Sequence, residues 1–440
     1  MRDKEFQKRR SFVTLLLAAV VIVFPQATFS QITTPQAQFI VGPQVPISNS
    51  WFDKTEVARA KVHGEAFPAE PPSPMTDEYI FSNYYDLALT EYIAYQRGGD
   101  PAFLGYARKV ADSWWKCAWI KQGSVRNFDS AGPAPRHASL GGLMLRALDG
   151  RPEMWDWLNA YTRYHFDLWL KRRINDRTLY YGVREGAFML HYAAWLAKAL
   201  PDSFPLQSGG TATNGAALRA AYRADVEAVA VNYYGRLQRA DGSWRWDDPD
   251  YTDADGGKLV GITQPFMIGL LLNALIDVHR LTANQNVANQ IVKSCRYLYS
   301  AGPYRKDDPV PVAPTKRWRS FWYFYHGGTT VNPTKYEKGG GSENGTQLWH
   351  VSSERQSIST IFDAYGYAYL LTKDASFRAM GDDLFDAAFV GTDGIRGLAA
   401  DPDRMHGPKN YNQVYRMGGR YLAWRSTAAQ ATTATATPVP

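Results

Sequence analysis

Polar side chains able to do chemistry recur in this chain at one kind of place, the start of long apolar helical segments. They are Asp77 and Glu78, Arg136 and His137, Arg184 and Glu185, Gln264, and Glu354, Arg355 and Gln356; Asn410, Tyr411 and Asn412 precede the last such segment. Two kinds of chemistry fit these types. A carboxyl that donates a proton and a carboxylate that activates water or attacks carbon together cleave an acetal, and Glu185 and Glu354 are candidates for that pair. An imidazole base with a guanidinium clamp instead removes a proton beside a carboxylate, and His137 with Arg136, Arg184 and Arg355 is the candidate set. Taken singly, each residue also reads as a helix cap or a first-turn charge that complements the helix dipole. The arginines also read as structural partners of the carboxylates. The recurrence carries more than any one member.

Two insertions add candidates. The stretch Asp241–Asp255, DGSWRWDDPDYTDAD, places Trp244 and Trp246 around Arg245 and follows them with Asp247 and Asp248. Indole faces suit the C–H face of a sugar and carboxylates suit its hydroxyls, so Trp244 and Trp246 are candidate stacking residues and Asp248 a third candidate carboxyl. The competing reading is a solvated acidic loop. Its oxygen-rich spacing also suits a hard cation, but it lacks the glycine and closing Glu of a calcium loop, so no metal and no cofactor are assigned. The second insertion, Arg317–Gly328, runs through five consecutive aromatics to His326. Phe321 and Phe324 read equally as core, and His326 is the candidate base there. His350 lies just ahead of Glu354, whereas His165, His191 and His279 fall inside helical segments and read as structural.

These residues need elements to position them. The segment Tyr181–Leu200 opens with Arg184-Glu185 and is then apolar on most of its circumference, as expected of a helix inside a packed structure. A polar cluster, a buried helix, a short turn and a more amphipathic helix then recur along the chain. The spacing predicts helices over 77–97 and 101–118, 136–148 and 153–172, 185–200 and 214–236, 264–281 and 284–300, 354–372 and 374–388, and a last one over 411–424. The turns include Gly99-Asp100-Pro101 and Asp149-Gly150-Arg151-Pro152, with Pro101 at the favoured first helical position. Hairpins that cannot bury their apolar faces alone must pack on one another. The long insertions, 119–135, 237–260 and 301–352, fall before the inner helices, where they would build a binding face.

The segments GGDPAFLGYARKVADSWW, ASLGGLMLRALDGRPEMWDWL and ADGSWRW…GITQPFMIGLLLNAL resemble the repeats of the six-hairpin glycosidase-like superfamily, over residues 77–425. The resemblance implies an all-α fold, an (α/α)6-type toroid of helical hairpins with long loops on one face. It also implies an exported enzyme that cleaves a polysaccharide or oligosaccharide, and it does not select one family of glycoside hydrolases or polysaccharide lyases. Hydrolysis is the first expectation and β-elimination on a uronate-containing glycan the second. A glycan-binding protein without catalysis is the alternative from another class. In such a ring the helix starts meet at one mouth, which adds Gln264 and Tyr411 to Arg136, Arg184, Arg355, Trp244 and Trp246 as candidate substrate-binding residues.

Composition agrees with a large folded body. The 440 residues are 45% hydrophobic and 14% aromatic, with 14 Trp and 27 Tyr. The basic stretch MRDKEFQKRR and the apolar run Phe12–Phe24 have the shape of a secretory signal, with cleavage expected after Ser30; an uncleaved anchor is the rival reading. The expected organisation is a signal over 1–30, an extended leader over 31–75, the toroid over 76–426 and a disordered Thr/Ala/Pro tail over 427–440. The expected location is secreted or periplasmic, with membrane contact only during export. Residues 1–30 hold five basic and two acidic side chains, so their removal lowers the formal charge from +7 to +4. That is too weak to indicate nucleic acid. Cys117 and Cys295 fit no metal pattern and read either as a disulfide or as two buried thiols. No HExxH, G-x-S-x-G or nucleotide-binding glycine pattern is present.

Overall fold

Short capped turns fold the chain into antiparallel helix pairs. At the first of them Gly99 adopts a left-handed φ of 73°, the Asp100 side chain accepts the Ala102 N–H at 2.9 Å, and Pro101 begins the next helix. The computed structural model describes residues 33–117, 134–252, 258–300, 303–310, 313–321, 325, 358–389 and 407–434.

In chain order the helices are α1 (Pro35–Val41), α2 (Trp51–Ala66), α3 (Asp77–Ser82), α4 (Leu87–Gly98), α5 (Pro101–Lys116), α6 (Leu140–Leu148), α7 (Met154–Trp169), α8 (Val183–Ala199), α9 (Gly215–Ala228), α10 (Pro265–Thr282), α11 (Gln285–Leu298), α12 (Phe362–Thr372), α13 (Ala375–Phe389) and α14 (Gly407–Ala434). Helices α4, α6, α8, α10, α12 and α14 pack each on the next, and α14 returns to α4, closing a ring. Outside it α5, α7, α9, α11 and α13 each pack on the inner helix that precedes them, and α2 packs on α14. The sixth hairpin therefore joins helices from opposite ends of the chain. This is the expected (α/α)6 toroid.

Burial follows position. Inner helix α8 buries every residue from Glu185 to Ala197, and α10 buries every residue from Pro265 to Val278, whereas outer α9 buries only Gly215, Tyr222 and Val226. Large side chains such as Trp114, Trp155, Trp157 and Trp195 fill the space between the two layers.

Three two-stranded antiparallel hairpins complete the described structure: β1 (Phe204–Pro205) with β2 (Thr211–Ala212), β3 (Trp246–Thr252) with β4 (Lys258–Ile262), and β5 (Tyr304–Val310) with β6 (Ala313–Phe321). The second and third lie in the insertions before α10 and α12. Thr263 and Tyr325 join these insertions by exchanging two backbone hydrogen bonds of 2.7 Å at the start of α10.

The structure departs from the sequence reading in several places. The predicted helix 77–97 is broken: α3 ends at Ser82, and Tyr85 (φ 64°) and Asp86 (φ 76°) turn the chain before α4. Residues 35–41 and 51–66, read as extended, are helical; α1 packs against α4, α6 and α8, and α2 is an outer helix of the ring. The fifth inner helix starts at Phe362 rather than near 354, and the last starts at Gly407 and continues to Ala434. Cys117 and Cys295 are both buried thiols with no disulfide between them.

The lower end of the ring is closed. Arg280 donates to the Phe39 carbonyl (3.0 Å), Arg97 to the Val45 carbonyl (2.9 Å), and Gln96 to Gln38 (2.5 Å), seating α1 and the segment after it beneath the C-terminal ends of the inner helices. Just above, Asp277 gathers four side chains: His191 Nδ1 (2.8 Å), Trp195 Nε1 (2.9 Å), Arg280 (2.8 Å) and Arg420 (3.4 Å). Burial pushes its carboxyl up, but the Arg420 and Arg280 charges and the His191 hydrogen bond outweigh that and hold it far below the ordinary range. No helix among the described residues is long and apolar enough to cross a membrane.

Candidate active site at the mouth of the ring

The opposite end of the ring, where the inner helices begin, gathers polar groups from α4, α6, α8 and α14. Asn83 to Asp86 form its centre. Asn412 on α14 donates to the Tyr84 carbonyl (2.7 Å), and Ser139 before α6 donates to the Asn83 carbonyl (2.9 Å). Arg184 on α8 donates to the Tyr84 hydroxyl (3.3 Å). Among the described residues, three of the five non-glycine residues with positive φ lie here, Tyr85, Asp86 and Ser139; the other two, Ala283 and Lys373, are ordinary helix C-caps. A bulky residue in that region is costly and persists where the surroundings impose it.

Asp86 is what the strained turn presents. Its Oδ1 accepts the Leu89 N–H of its own helix (3.0 Å), and both oxygens accept the Gly142 N–H of α6, so one carboxylate caps two helices. The approach needs glycine. A Cβ on Gly141 would stand 2.9 Å from Asp86 Oδ2, and one on Gly142 would stand 2.7 Å from Oδ1. Burial pushes the Asp86 carboxyl up from its ordinary value, opposed by these N–H groups and by the Arg416 charge.

Four of the sequence candidates meet around Tyr84 of the same turn. Glu185, 5% exposed, accepts from Arg136 Nη1 (2.5 Å), from the Arg136 backbone N–H (3.2 Å) and from Arg184 Nε (3.1 Å). Burial works against the Arg184 charge, yet Tyr84, Tyr85 and Glu185 around it hold its basicity above the ordinary value. His137, in a short 3-10 turn before α6, sets its ring edge-on to Tyr84, with centroids 4.2 Å apart. Tyr84 also stacks with Phe81 (6.2 Å, 10°) and meets Tyr85 edge-on at 4.3 Å; Phe81 is 51% exposed. An aromatic wall thus borders the charged cluster. From behind, the Tyr233 hydroxyl in the π-helical turn Val229–Gly235 accepts the Tyr180 N–H (2.9 Å), bracing the chain just before α8.

Other candidates lie elsewhere. Trp244 and Trp246 do not offer stacking faces: both are buried, and Trp244 donates its indole N–H to the Tyr234 carbonyl at 2.8 Å. The Trp244 indole ties the insertion to the π-helical turn, and the Trp244 carbonyl accepts the Thr263 hydroxyl (2.7 Å) just before α10, which is packing work. Tyr411 is fully buried on the other side of α14 from the mouth, against His63 (5.1 Å) and Tyr415 (5.6 Å); its neighbour Asn412 takes the mouth position. Because α14 starts at Gly407, residue 411 is already inside the helix and turned outward. Gln264 is buried at the start of α10, with neither amide atom hydrogen-bonded among the described residues. Asp248 lies in β3 opposite Leu259. Glu354, Arg355 and His326 lie outside the described residues, as do Gln356, His350 and Phe324. No group of three or more His, Cys, Asp or Glu side chains among the described residues is arranged to hold a metal ion.

Sequence reasoning missed Asp86, Tyr84 and Tyr85, and it took Tyr411 rather than its neighbour Asn412 as the substrate-binding residue of the last helix. A signal for Asp86 was present: Asn83 and Asp86 directly precede the apolar run from Leu87, and both types tolerate left-handed backbone and cap helices.

No protein-family model matches the chain, and no curated protein matches it by sequence. Among solved structures, the chain is similar to the crystal structure of an unsaturated glucuronyl hydrolase specific for heparin, with a TM-score of 0.50 and 10% identity over 87% of this chain and 99% of that one. At that identity the likeness concerns architecture. The chain has an (α/α)6 toroid fold.

Proposed function

We propose that this protein is a carbohydrate-active enzyme, exported by its N-terminal signal, that hydrolyses a glycosidic bond at the mouth of the ring. The observation that carries the reading is Asp86: a buried carboxylate on left-handed backbone, capping two inner helices and following Tyr84 and Tyr85, with the Tyr84 ring meeting Tyr85 and His137. In this reading Asp86 is the carboxylate that activates water. Burial strengthens it as a base, while three N–H contacts keep its charged form accessible. The proton donor in this reading is Asp248, in the β3–β4 insertion before α10, or Glu354, which lies outside the described residues. Glu185, bound to two arginines, is assigned to organising them, and the aromatic wall to stacking on the sugar.

Hydrolysis is favoured over elimination because Arg136 and Arg184 are already engaged by Glu185, so a uronate clamp at these residues would have to displace that carboxylate. The similarity to a glucuronyl hydrolase supports testing uronate-terminated oligosaccharides along with neutral ones.

The test is a panel of polysaccharides and oligosaccharides assayed with wild type and with Asp86→Asn. The expected result is new reducing ends with wild type and a loss of at least about 100-fold in D86N, the scale of one essential acid–base group. New absorbance from an unsaturated product would establish elimination instead. Binding without turnover across the panel would establish a glycan-binding protein.

A further inference from the structure

Helix α14 turns a polar stripe toward the ring axis. Asn412, Arg416 and Arg420 are four residues apart and lie one above another on the helix. Asn412 at the top holds the Tyr84 carbonyl (2.7 Å). Arg420 at the bottom is fully buried between Asp277 (3.4 Å) and Asp363 (3.7 Å). Arg416 sits between these levels. It is 4% exposed, its guanidinium carbon lies 5.2 Å from the centre of the Trp195 ring, and its Nε and Nη2 make no hydrogen bond among the described residues. A guanidinium does not shed its proton when buried, so its charge has to be balanced by a nearby anion.

Gly141 identifies that anion. A Cβ there would stand 2.8 Å from Cζ3 of Trp195 and 2.9 Å from Oδ2 of Asp86. The indole that Arg416 covers and the Asp86 carboxylate therefore flank the same glycine-sized gap. The groups facing Asp86 are the N–H groups of Leu89 on α4 and of Gly141 and Gly142 on α6, Tyr192 on α8, and Arg416 on α14. Those facing Arg416 are Arg420 on its own helix, His191 and Tyr192 on α8, Asp277 on α10, Asp363 on α12 and Asp86. Asp277 is already held by Arg280 and Arg420, and Asp363 lies against Arg420 at 3.7 Å, which leaves Asp86 as the carboxylate facing Arg416 that has no other arginine in ion-pair contact among the described residues.

We propose that Arg416 is a positioning residue for Asp86, its guanidinium one layer beneath the mouth supplying from α14 the positive charge that this buried carboxylate faces across the Gly141 gap. The functional meaning rests on Asp86 being the reacting carboxylate; the pairing itself does not. It also gives the axial stripe a purpose, since Asn412 fixes the turn that carries Asp86 and Arg416 sets its charge.

The test titrates Asp86 directly. Protein labelled with 13C at aspartate carboxyls gives one resonance that is absent from D86N, and its midpoint is followed in wild type, R416M, R416Q and R416K. R416M and R416Q are expected to raise the midpoint by about one pH unit or more, since an opposite charge a few ångströms away shifts a carboxyl by roughly 1–3 units. R416K is expected to restore most of the difference. A folded R416M or R416Q whose Asp86 midpoint stays at the wild-type value overturns the proposal. Undiminished glycan cleavage by D86N would instead overturn the catalytic reading of Asp86 and leave a measured Asp86–Arg416 coupling in place, so the two failures are distinguishable.

Discussion

The two oxygens of Asp86 reach the Gly142 N–H at 3.2 and 3.0 Å, so the residue that starts one inner helix also caps the next. Gly142→Ala tests how far the ring depends on this closeness. The added methyl would run into Ala88 and Asp86 Oδ1, with the Leu89 N–H at 2.9 Å. Backbone does not yield as a flexible side chain does, so the expected loss is about 1–3 kcal/mol, read by thermal or urea unfolding. A G142A protein as stable as wild type would show that the two helices can separate freely.

Glu185→Gln is expected to cost stability. It leaves Arg136 and Arg184 facing a neutral amide at a site where Glu185 is 7% exposed by side chain and the arginines 29% and 27%. Breaking a fully buried pair costs about 3–5 kcal/mol, and partial exposure of the arginines lowers the expectation to about 2 kcal/mol. Urea unfolding at low and high salt checks it, and the loss should shrink only modestly with salt because the carboxylate is buried.

Much of the ring was legible in sequence because its signals are local. Apolar runs such as 185–200, and caps such as Asp100-Pro101, specify helices and turns with little help from the rest of the chain. The site was less legible because its key bend is imposed from outside. The stretch from Asp77 to Arg97 carries an unbroken helical pattern, and contacts from Ser139, Gly142 and Asn412 hold Asn83–Asp86 out of it. Aromatics were ambiguous for another reason. An indole between charged neighbours reads as a sugar platform or as core, and Trp244 settles as core through its bond to Tyr234. A four-residue difference in where α14 starts exchanged the roles of Tyr411 and Asn412.

His165 makes stability sensitive to acid. Burial lowers its imidazole to about 4, next to Tyr161 (4.3 Å) and Tyr164 (5.1 Å). An unfolded chain binds the proton near pH 6.5, so the stability present above that value is lost as pH falls toward 4. His165→Phe removes the proton site. The stability of H165F relative to wild type should therefore improve by on the order of 3 kcal/mol between pH 7 and pH 4, measured by thermal unfolding across the range. A pH-independent difference would contradict the assignment.

Glu91 acts in the opposite direction. It is fully buried on α4, neither carboxyl oxygen has a hydrogen-bond partner among the described residues, and burial raises its carboxyl well above the ordinary value. Such a group is at no disadvantage while protonated in both states, and its contribution is lost as pH rises through the range where only the unfolded chain ionises. Glu91→Met should stabilise the protein, more at pH 8 than at pH 5, in paired melting curves. Equal gains at both values would mean that the carboxyl is not held neutral.

The pairing of α2 with α14 has a kinetic meaning. Tyr84 and Asn412 touch across 328 positions of sequence, and the outer partner of the last inner helix was made near the beginning. Five hairpins can form in order as the polypeptide emerges, but the circle stays open until its final segment arrives. Contacts of such long sequence separation form slowly. Capture of an incompletely closed ring by a protease during refolding, with cuts concentrated in 33–66 and 407–434, is the signature to expect.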